Sequence, residues 1–247
     1  LSRIPLMAAD RMEEGHDWEC PLVIGGGPCT YNPEPLAEFF DLFYIGEGET
    51  VYDALLDLYK TCRAEGCSRR EFLHRAARIP GIYVPSLYEV SYKEDGTIEA
   101  FTPLEQDIPT VIEKQIVMNV TDSTYPEKPV VPFIKVTQDR VVLEIQRGCI
   151  RGCRFCQAGM LYRPTRERDL EILKQHARAM LENTGHEEIS LSSLSSSDYS
   201  QLEGIVSFLI DEFRDKNINI SLPSLRIDAF SLDVMSKVQD VKKSSLT

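Results

Sequence analysis

The sequence of 247 residues contains no apolar run approaching the roughly 20 residues that a membrane-spanning helix needs. Its start, Leu1-Ser2-Arg3, lacks the long apolar core of a secretion signal. Positive charge is also short: 27 lysines and arginines stand against 39 aspartates and glutamates, a net charge of −12. That balance does not favour a polyanion or an anionic membrane surface as partner, and it leaves nucleic acid unsupported rather than excluded. Cysteine is too scarce for a disulfide scaffold of this size, and the odd count of seven leaves at least one outside any all-disulfide scheme. A reducing compartment, the cytoplasm, is therefore expected.

The cysteines that are present are unevenly placed. Cys20, Cys29, Cys62 and Cys67 are scattered through the first third, whereas Cys149, Cys153 and Cys156 fall within eight residues. That cluster is the main functional signal.

Hydrophobic periodicity divides the chain into three stretches, residues 1–79, 80–140 and 141–247. In the first, Leu22-Val23-Ile24 reads as a buried-type strand closed by Gly25-Gly26-Gly27-Pro28, residues 33–40 as a helix begun by prolines, and Leu42 to Ile45 as a second strand closed by Gly46-Glu47-Gly48-Glu49. Val51, Leu55, Leu58, Tyr59 and Cys62 share one helical face, and Ser68-x-x-Glu71 is a capping box opening another helix. This stretch is expected to be half of an open α/β sheet. The second stretch is proline-rich and reads as a connecting module holding a hairpin, Leu87 to Tyr92 and Ile98 to Phe101 about Asp95-Gly96.

Strand and helix alternate again after Arg140. Strands are expected at 141–146, 189–191 and 218–222. One helix carries Leu170, Leu173, Ala177, Met180 and Leu181, a second is capped by Ser200-x-x-Glu203, and a third carries Leu232, Met235 and Val238. Three successive βα units predict a parallel sheet or the first part of a βα barrel, with functional groups at the C-terminal ends of the strands.

The first of those ends runs into Arg147-Gly148-Cys149-Ile150-Arg151-Gly152-Cys153-Arg154-Phe155-Cys156, a C-x3-C-x2-C spacing. Three thiolates this close can hold three irons of one cubane cluster, with glycines permitting a tight wrap and Arg147, Arg151 and Arg154 offsetting its charge. With no fourth cysteine nearby, one iron keeps an open coordination position. The alternatives are a structural zinc site with a distant fourth ligand, and incidental thiols. Zinc sites usually pair two C-x2-C knuckles, and this chain has one. The second strand end runs into Ser192-Ser193-Leu194-Ser195-Ser196-Ser197-Asp198, the third into Pro223-Ser224-Leu225-Arg226-Ile227-Asp228.

The spacing, the aromatic Phe155 before the last cysteine, and the position after a first βα strand resemble the radical S-adenosylmethionine superfamily. The resemblance implies that Cys149, Cys153 and Cys156 hold a [4Fe-4S] cluster whose open iron binds S-adenosylmethionine, and that reductive cleavage yields a 5′-deoxyadenosyl radical. It also implies an electron donor such as flavodoxin or ferredoxin. A Gly-Gly-Glu-like segment often follows the second strand in that family and contacts the cofactor's amino group; here a serine-rich stretch stands in its place. By position, Ser192, Ser195 and Asp198 are candidate acceptors for the ammonium, unless Ser197 or Asp198 simply caps the next helix. Arg226, with Ser224 beside it, either pairs with the cofactor carboxylate or makes a structural ion pair.

Gly-Gly-Gly-Pro and Gly-Glu-Gly-Glu after two strands resemble the end of the Rossmann-like cobalamin-binding-type domain that precedes many radical domains. Glycines there would let backbone approach a nucleotide tail. That leaves room for cobalamin as a further cofactor, although no D-x-H-x-x-G motif is present and His16 lies in the wrong context. The whole order resembles an uncharacterised group of cobalamin-binding-domain radical S-adenosylmethionine proteins. An enzyme is expected, with methyl or methylthio transfer to an unknown substrate as the reaction; the other reading is a non-catalytic metal-binding or interaction module. The first residue is not Met, the chain stops at Ser244-Ser245-Leu246-Thr247 just after a helical pattern, and the family's radical domain resembles a six-unit partial barrel, so truncation at both ends is expected.

Overall fold

A computed structural model describes residues 4–13, 18–121, 125–222 and 224–226. It divides into two compact units, Leu1–Val117 and Met118–Thr247.

In the first unit, β1 (Ile24–Gly25), β2 (Leu42–Tyr44) and β3 (Ile82–Tyr83) form one sheet in that order. β1 runs parallel to β2, and β3 runs antiparallel to it, with Phe43 opposite Tyr83. The expected open parallel half-sheet is therefore mixed. Ile24 is 44% exposed, so β1 is not the buried strand its composition suggested. Residues 33–40 form only a 3-10 turn at Glu34–Leu36. Two prolines without N–H groups in so short a segment leave too few hydrogen bonds to offset helix nucleation. Helices α1 (Tyr52–Glu65) and α2 (Arg69–Ala76) follow, and the Ser68 hydroxyl accepts from the Glu71 N–H at 3.2 Å as the capping box requires. Leu55, Cys62, Phe72, Leu73 and Ala76 pack with Leu42, Tyr44 and Ile82 in one apolar cluster. The hairpin is β4 (Tyr88–Tyr92) with β5 (Ile98–Pro103), antiparallel, and Gly96 takes the left-handed φ of 81° in its turn.

Under this core lies a buried charge cluster that periodicity could not reveal. Asp41 Oδ2 accepts from Arg69 Nη2 at 2.9 Å, Arg11 Nε at 3.3 Å and the Val23 N–H at 2.6 Å. The arginine side chains are 1% exposed and the aspartate 0%. The second positive charge is dispersed over carbonyls: Arg11 donates to Pro5, Leu6 and Phe39, and Arg69 to Cys20 and Pro21.

In the second unit, β6 (Val141–Glu144) ends earlier than expected. The chain turns at Ile145 into β7 (Gln146–Arg147), and after the short helix α3 (Ala158–Leu161), β8 (Arg166–Glu167) pairs antiparallel with β7. Helix α4 (Leu170–Thr184), β9 (Glu188–Ser192), α5 (Leu202–Phe213) and β10 (Asn219–Ser221) complete the described elements. The sheet order is β10-β9-β6, all parallel, with Val141 opposite Ile189 and Asn219 opposite Glu188. Alternation sends Val141, Leu143, Ile145, Ile189, Leu191 and Ile220 into one core with Leu173 and Ala177 of α4 and Ile205, Val206 and Leu209 of α5. The intervening positions Glu144, Ser190, Ser192 and Ser221 give the opposite face a polar character.

Asp169 caps α4 by accepting from Glu171 and Ile172, and Gly185 closes it in the left-handed conformation. The capping box expected at Ser200 does not form. Its hydroxyl and its N–H both donate to the Glu167 carboxylate, which holds Ser200 before the helix, and α5 starts after Gln201 without a side-chain cap. The Tyr125 hydroxyl donates to the Val142 carbonyl at 2.6 Å and accepts from the Glu144 N–H at 3.0 Å, which covers the free edge of β6. The expected third helix at Leu232, Met235 and Val238, together with Pro223, Ile227 and Asp228 and also His16, lies outside the described residues.

Asp41→Asn removes the charge that compensates Arg11 and Arg69. The first unit should lose about 3–5 kcal/mol, the cost of breaking a buried pair, against about 1 kcal/mol for Ser68→Ala. Urea unfolding read by fluorescence of the single tryptophan, Trp18, which packs on Tyr59 and Phe72, measures both. Equal midpoints for the two variants would contradict this ranking.

Candidate metal centre

The cysteine loop leaves β7 at Gly148, whose φ is 82°. A Cβ there would lie 2.6 Å from the Tyr162 carbonyl oxygen and 2.7 Å from that of Pro164, so the returning chain packs directly on this glycine. Cys149, Cys153 and Cys156 are all free thiols and partly buried. The Cys156 N–H donates to the Cys153 carbonyl at 3.0 Å, the Arg151 N–H to Cys149 Sγ at 3.4 Å, and Arg226 Nη1 to Cys153 Sγ at 3.7 Å.

Among the described residues, one set of three His, Cys, Asp or Glu groups has its ligand atoms within 4.8 Å of one another: His74, Glu105 and Asp107 in the other unit. The three loop sulfurs do not all lie within that distance of one another.

The ends of the parallel strands meet around this loop. After β9 the chain makes a 3-10 turn, Ser196–Asp198. Asp198 Oδ2 accepts from Arg151 Nε at 2.9 Å and from the Ser195 hydroxyl at 2.8 Å, while Oδ1 accepts from Arg151 Nη2. The Arg151 guanidinium thereby holds this nearly buried carboxyl below its ordinary value of 3.8. Neither Ser197 nor Asp198 caps α5. The Ser197 hydroxyl accepts from the Arg226 N–H at 3.0 Å, and the Ser224 carbonyl accepts from the Ser196 N–H at 3.2 Å, with Ser224 at a φ of 61°. The Ser192 carbonyl accepts from Ile145, and its side chain lies on the polar face. Ser192, Ser195, Asp198, Ser224 and Arg226 are thus gathered at one end of the sheet with the cysteine loop.

Sequence reasoning missed Gln146. It is 2% exposed, its Nε2 donates to the Ser195 carbonyl at 2.9 Å, and its Oε1 has no partner. An orphaned buried acceptor at this position fits an ammonium-bearing ligand. The signal in the sequence was a polar residue at the last position of the expected strand, in alternation with Glu144.

The glycine turns of the first unit have a local explanation. A Cβ on Gly25 would strike the Phe43 ring at 2.3 Å, on Gly46 the Gln115 carbonyl at 2.4 Å, and on Gly48 the Tyr52 ring at 2.4 Å. These three serve close packing of the chain on itself, whereas Gly27, at a φ of 87°, has nothing within 4 Å of where its Cβ would stand.

Because its folded value is lowered, the Asp198 contribution is full above the unfolded carboxyl value and is lost as pH falls through the folded one. A carbon NMR titration should place the Asp198 midpoint below 3.8, returning toward it in Arg151→Gln. A parent midpoint at or above 3.8 contradicts the pairing.

The family model for radical SAM proteins, N-terminal, matches residues 1–85, and that for the radical SAM superfamily matches residues 143–246. An uncharacterised protein of Methanocaldococcus jannaschii is 29% identical over 215 residues, covering 87% of this chain and 40% of that protein. Among solved structures, the radical S-adenosylmethionine methyltransferase TsrM from Kitasatospora setae, with cobalamin and a [4Fe-4S] cluster bound, aligns with a TM-score of 0.46 and 14% identity over 87% of this chain and 40% of that one. The same enzyme with tryptophan and a cofactor analogue aligns with a TM-score of 0.44 and 15% identity, over 87% of this chain and 39% of that one. The chain therefore spans about 40% of the length of the curated relative it matches. Two models of one superfamily, in chain order and with the three-cysteine loop inside the second, account for most of the sequence: the chain belongs to the radical S-adenosylmethionine superfamily.

Proposed function

We propose that this chain forms part of a radical S-adenosylmethionine enzyme in which Cys149, Cys153 and Cys156 ligate three irons of a [4Fe-4S] cluster and the surrounding strand ends receive the cofactor. The observation that carries the reading is the convergence of these thiols with Ser195, Asp198, Arg226 and Gln146 at one end of a parallel sheet, inside the segment matched by the superfamily model. When bound, the cluster and S-adenosylmethionine supply a 5′-deoxyadenosyl radical by one-electron reductive cleavage.

The chain's own residues do the rest. Three thiolates leave one iron open for the cofactor's amino and carboxylate groups. Asp198 is committed to Arg151, so the unpartnered Gln146 Oε1 is the acceptor we assign to the ammonium, with Ser192 and Ser224 lining the approach. Residues 141–247 are read as the first three βα units of a partial barrel, and a flavodoxin- or ferredoxin-like protein as the electron donor. The reaction we propose is methyl or methylthio transfer to an unknown substrate. Nothing in the first unit is assigned to cobalamin.

Anaerobic reconstitution with iron and sulfide tests the ligand set. Cys149→Ala, Cys153→Ala and Cys156→Ala should each lose the stable four-iron cluster. Cys62→Ala and Cys67→Ala should keep it, since both lie buried in the other unit and burial pushes the Cys67 thiol up to about 11, far from a ready thiolate. Unchanged iron content in any of the first three variants, or zinc retained in place of iron in the parent, would overturn the assignment. Gln146→Leu should weaken S-adenosylmethionine binding by roughly tenfold, the loss of one charge-assisted hydrogen bond of about 1.5–3 kcal/mol at its low end. Titration of the reconstituted protein checks it, and equal affinity contradicts the role given to Gln146.

A further inference from the structure

We infer that Arg226 sets the reduction potential of the cluster by donating to the Cys153 sulfur. The inference rests on the cluster assignment above and goes beyond it, because it gives Arg226 a role toward the cluster itself.

The geometry is specific. Arg226 Nη1 stands 3.7 Å from Cys153 Sγ. Its backbone is fixed where it must be for that contact: the Arg226 N–H donates to the Ser197 hydroxyl at 3.0 Å, and the neighbouring Ser224 carbonyl accepts from Ser196 at 3.2 Å. The residue is therefore held by the turn after β9, two loops away in sequence from the sulfur it meets. Asp198 is bound bidentately by Arg151, the arginine midway between Cys149 and Cys153 along the chain. The loop thus presents one sulfur to a backbone amide, Arg151 to Cys149, and another to a guanidinium, Arg226 to Cys153.

Hydrogen bonds and positive charge at cluster sulfurs favour the more negative, reduced form, and so raise the potential. Arg226 adds a full charge where Arg151 adds only an amide dipole. It is a positioning residue for electron uptake: it contacts a ligand sulfur rather than a substrate.

The experiment is a redox titration of the reconstituted protein. One electron per cluster is supplied by dithionite, and the reduced cluster is followed by electron paramagnetic resonance. Arg226→Gln should lower the potential so that, at a fixed potential near the parent midpoint, the ratio of reduced to oxidised cluster falls on the order of tenfold, equivalent to ~59 mV for one electron. An unchanged potential overturns the inference. A Gln variant that folds yet fails to retain iron also overturns it, since Arg226 would then build the loop and not tune it. If Arg226→Gln does not fold, Arg226→Met decides: an unbranched side chain without charge or N–H donor stands in its place, so a lowered potential supports the role and the parent's potential rejects it. If the parent protein takes up no four-iron cluster, the underlying assignment fails; if the parent holds one and the variants match it in potential, only the role of Arg226 fails.

Discussion

Asp198 is the tie on which the candidate site depends. The cysteine loop has little regular structure of its own between β7 and α3, and what places it is the pairing of Arg151 with a carboxylate from the turn after β9. The pair is unequal in exposure, 33% for the arginine and 7% for the aspartate. Reduced screening strengthens the attraction on the buried side, while the partly exposed guanidinium keeps some of its hydration, so the desolvation cost of two buried ions is not incurred in full. The Ser195 hydroxyl uses another lone pair of the same carboxylate, and the Ser195 carbonyl takes the Gln146 amide. Removing Asp198 would therefore loosen the first and second strand ends together.

That tie can exist only because the strands are parallel and in sequence order. β6, β9 and β10 all point the same way, so every loop that leaves a strand C-terminus emerges on one side. The two faces of the sheet differ in kind. One is packed by α4 and α5 through Leu143, Leu191, Leu173 and Leu209, and the other carries Glu144, Ser190, Ser192 and Ser221. A parallel sheet buried on both faces would read as continuous apolar strands. The serines here mark the side that faces polar groups, and Gln146 ends that row.

The parts of the molecule that were legible in the sequence are those fixed by local periodicity. The helix faces of α1 and α4, the hairpin about Gly96, the Ser68 cap and the cysteine spacing all follow from residues close together along the chain. The parts that were not legible depend on partners far away in sequence. Ser200 is diverted by Glu167, 33 positions earlier. Asp41 is held by Arg11 and Arg69, 30 and 28 positions away. β3 joins its sheet antiparallel because the chain returns beside β2, and Gly25, Gly46 and Gly48 are required by Phe43, Gln115 and Tyr52. At the site, chemistry-bearing residue types were readable one by one, but the commitment of Asp198 to Arg151 and the isolation of Gln146 Oε1 are properties of the assembled strand ends.

The central claim is that three cysteines of this loop hold four irons and leave one of them open. The most direct measurement is Mössbauer spectroscopy of the protein reconstituted with iron-57, before and after addition of S-adenosylmethionine. The account predicts that one of the four irons separates from the other three in isomer shift when the cofactor is added, because it alone lacks a thiolate. Four irons that stay equivalent and unaffected by S-adenosylmethionine would contradict it.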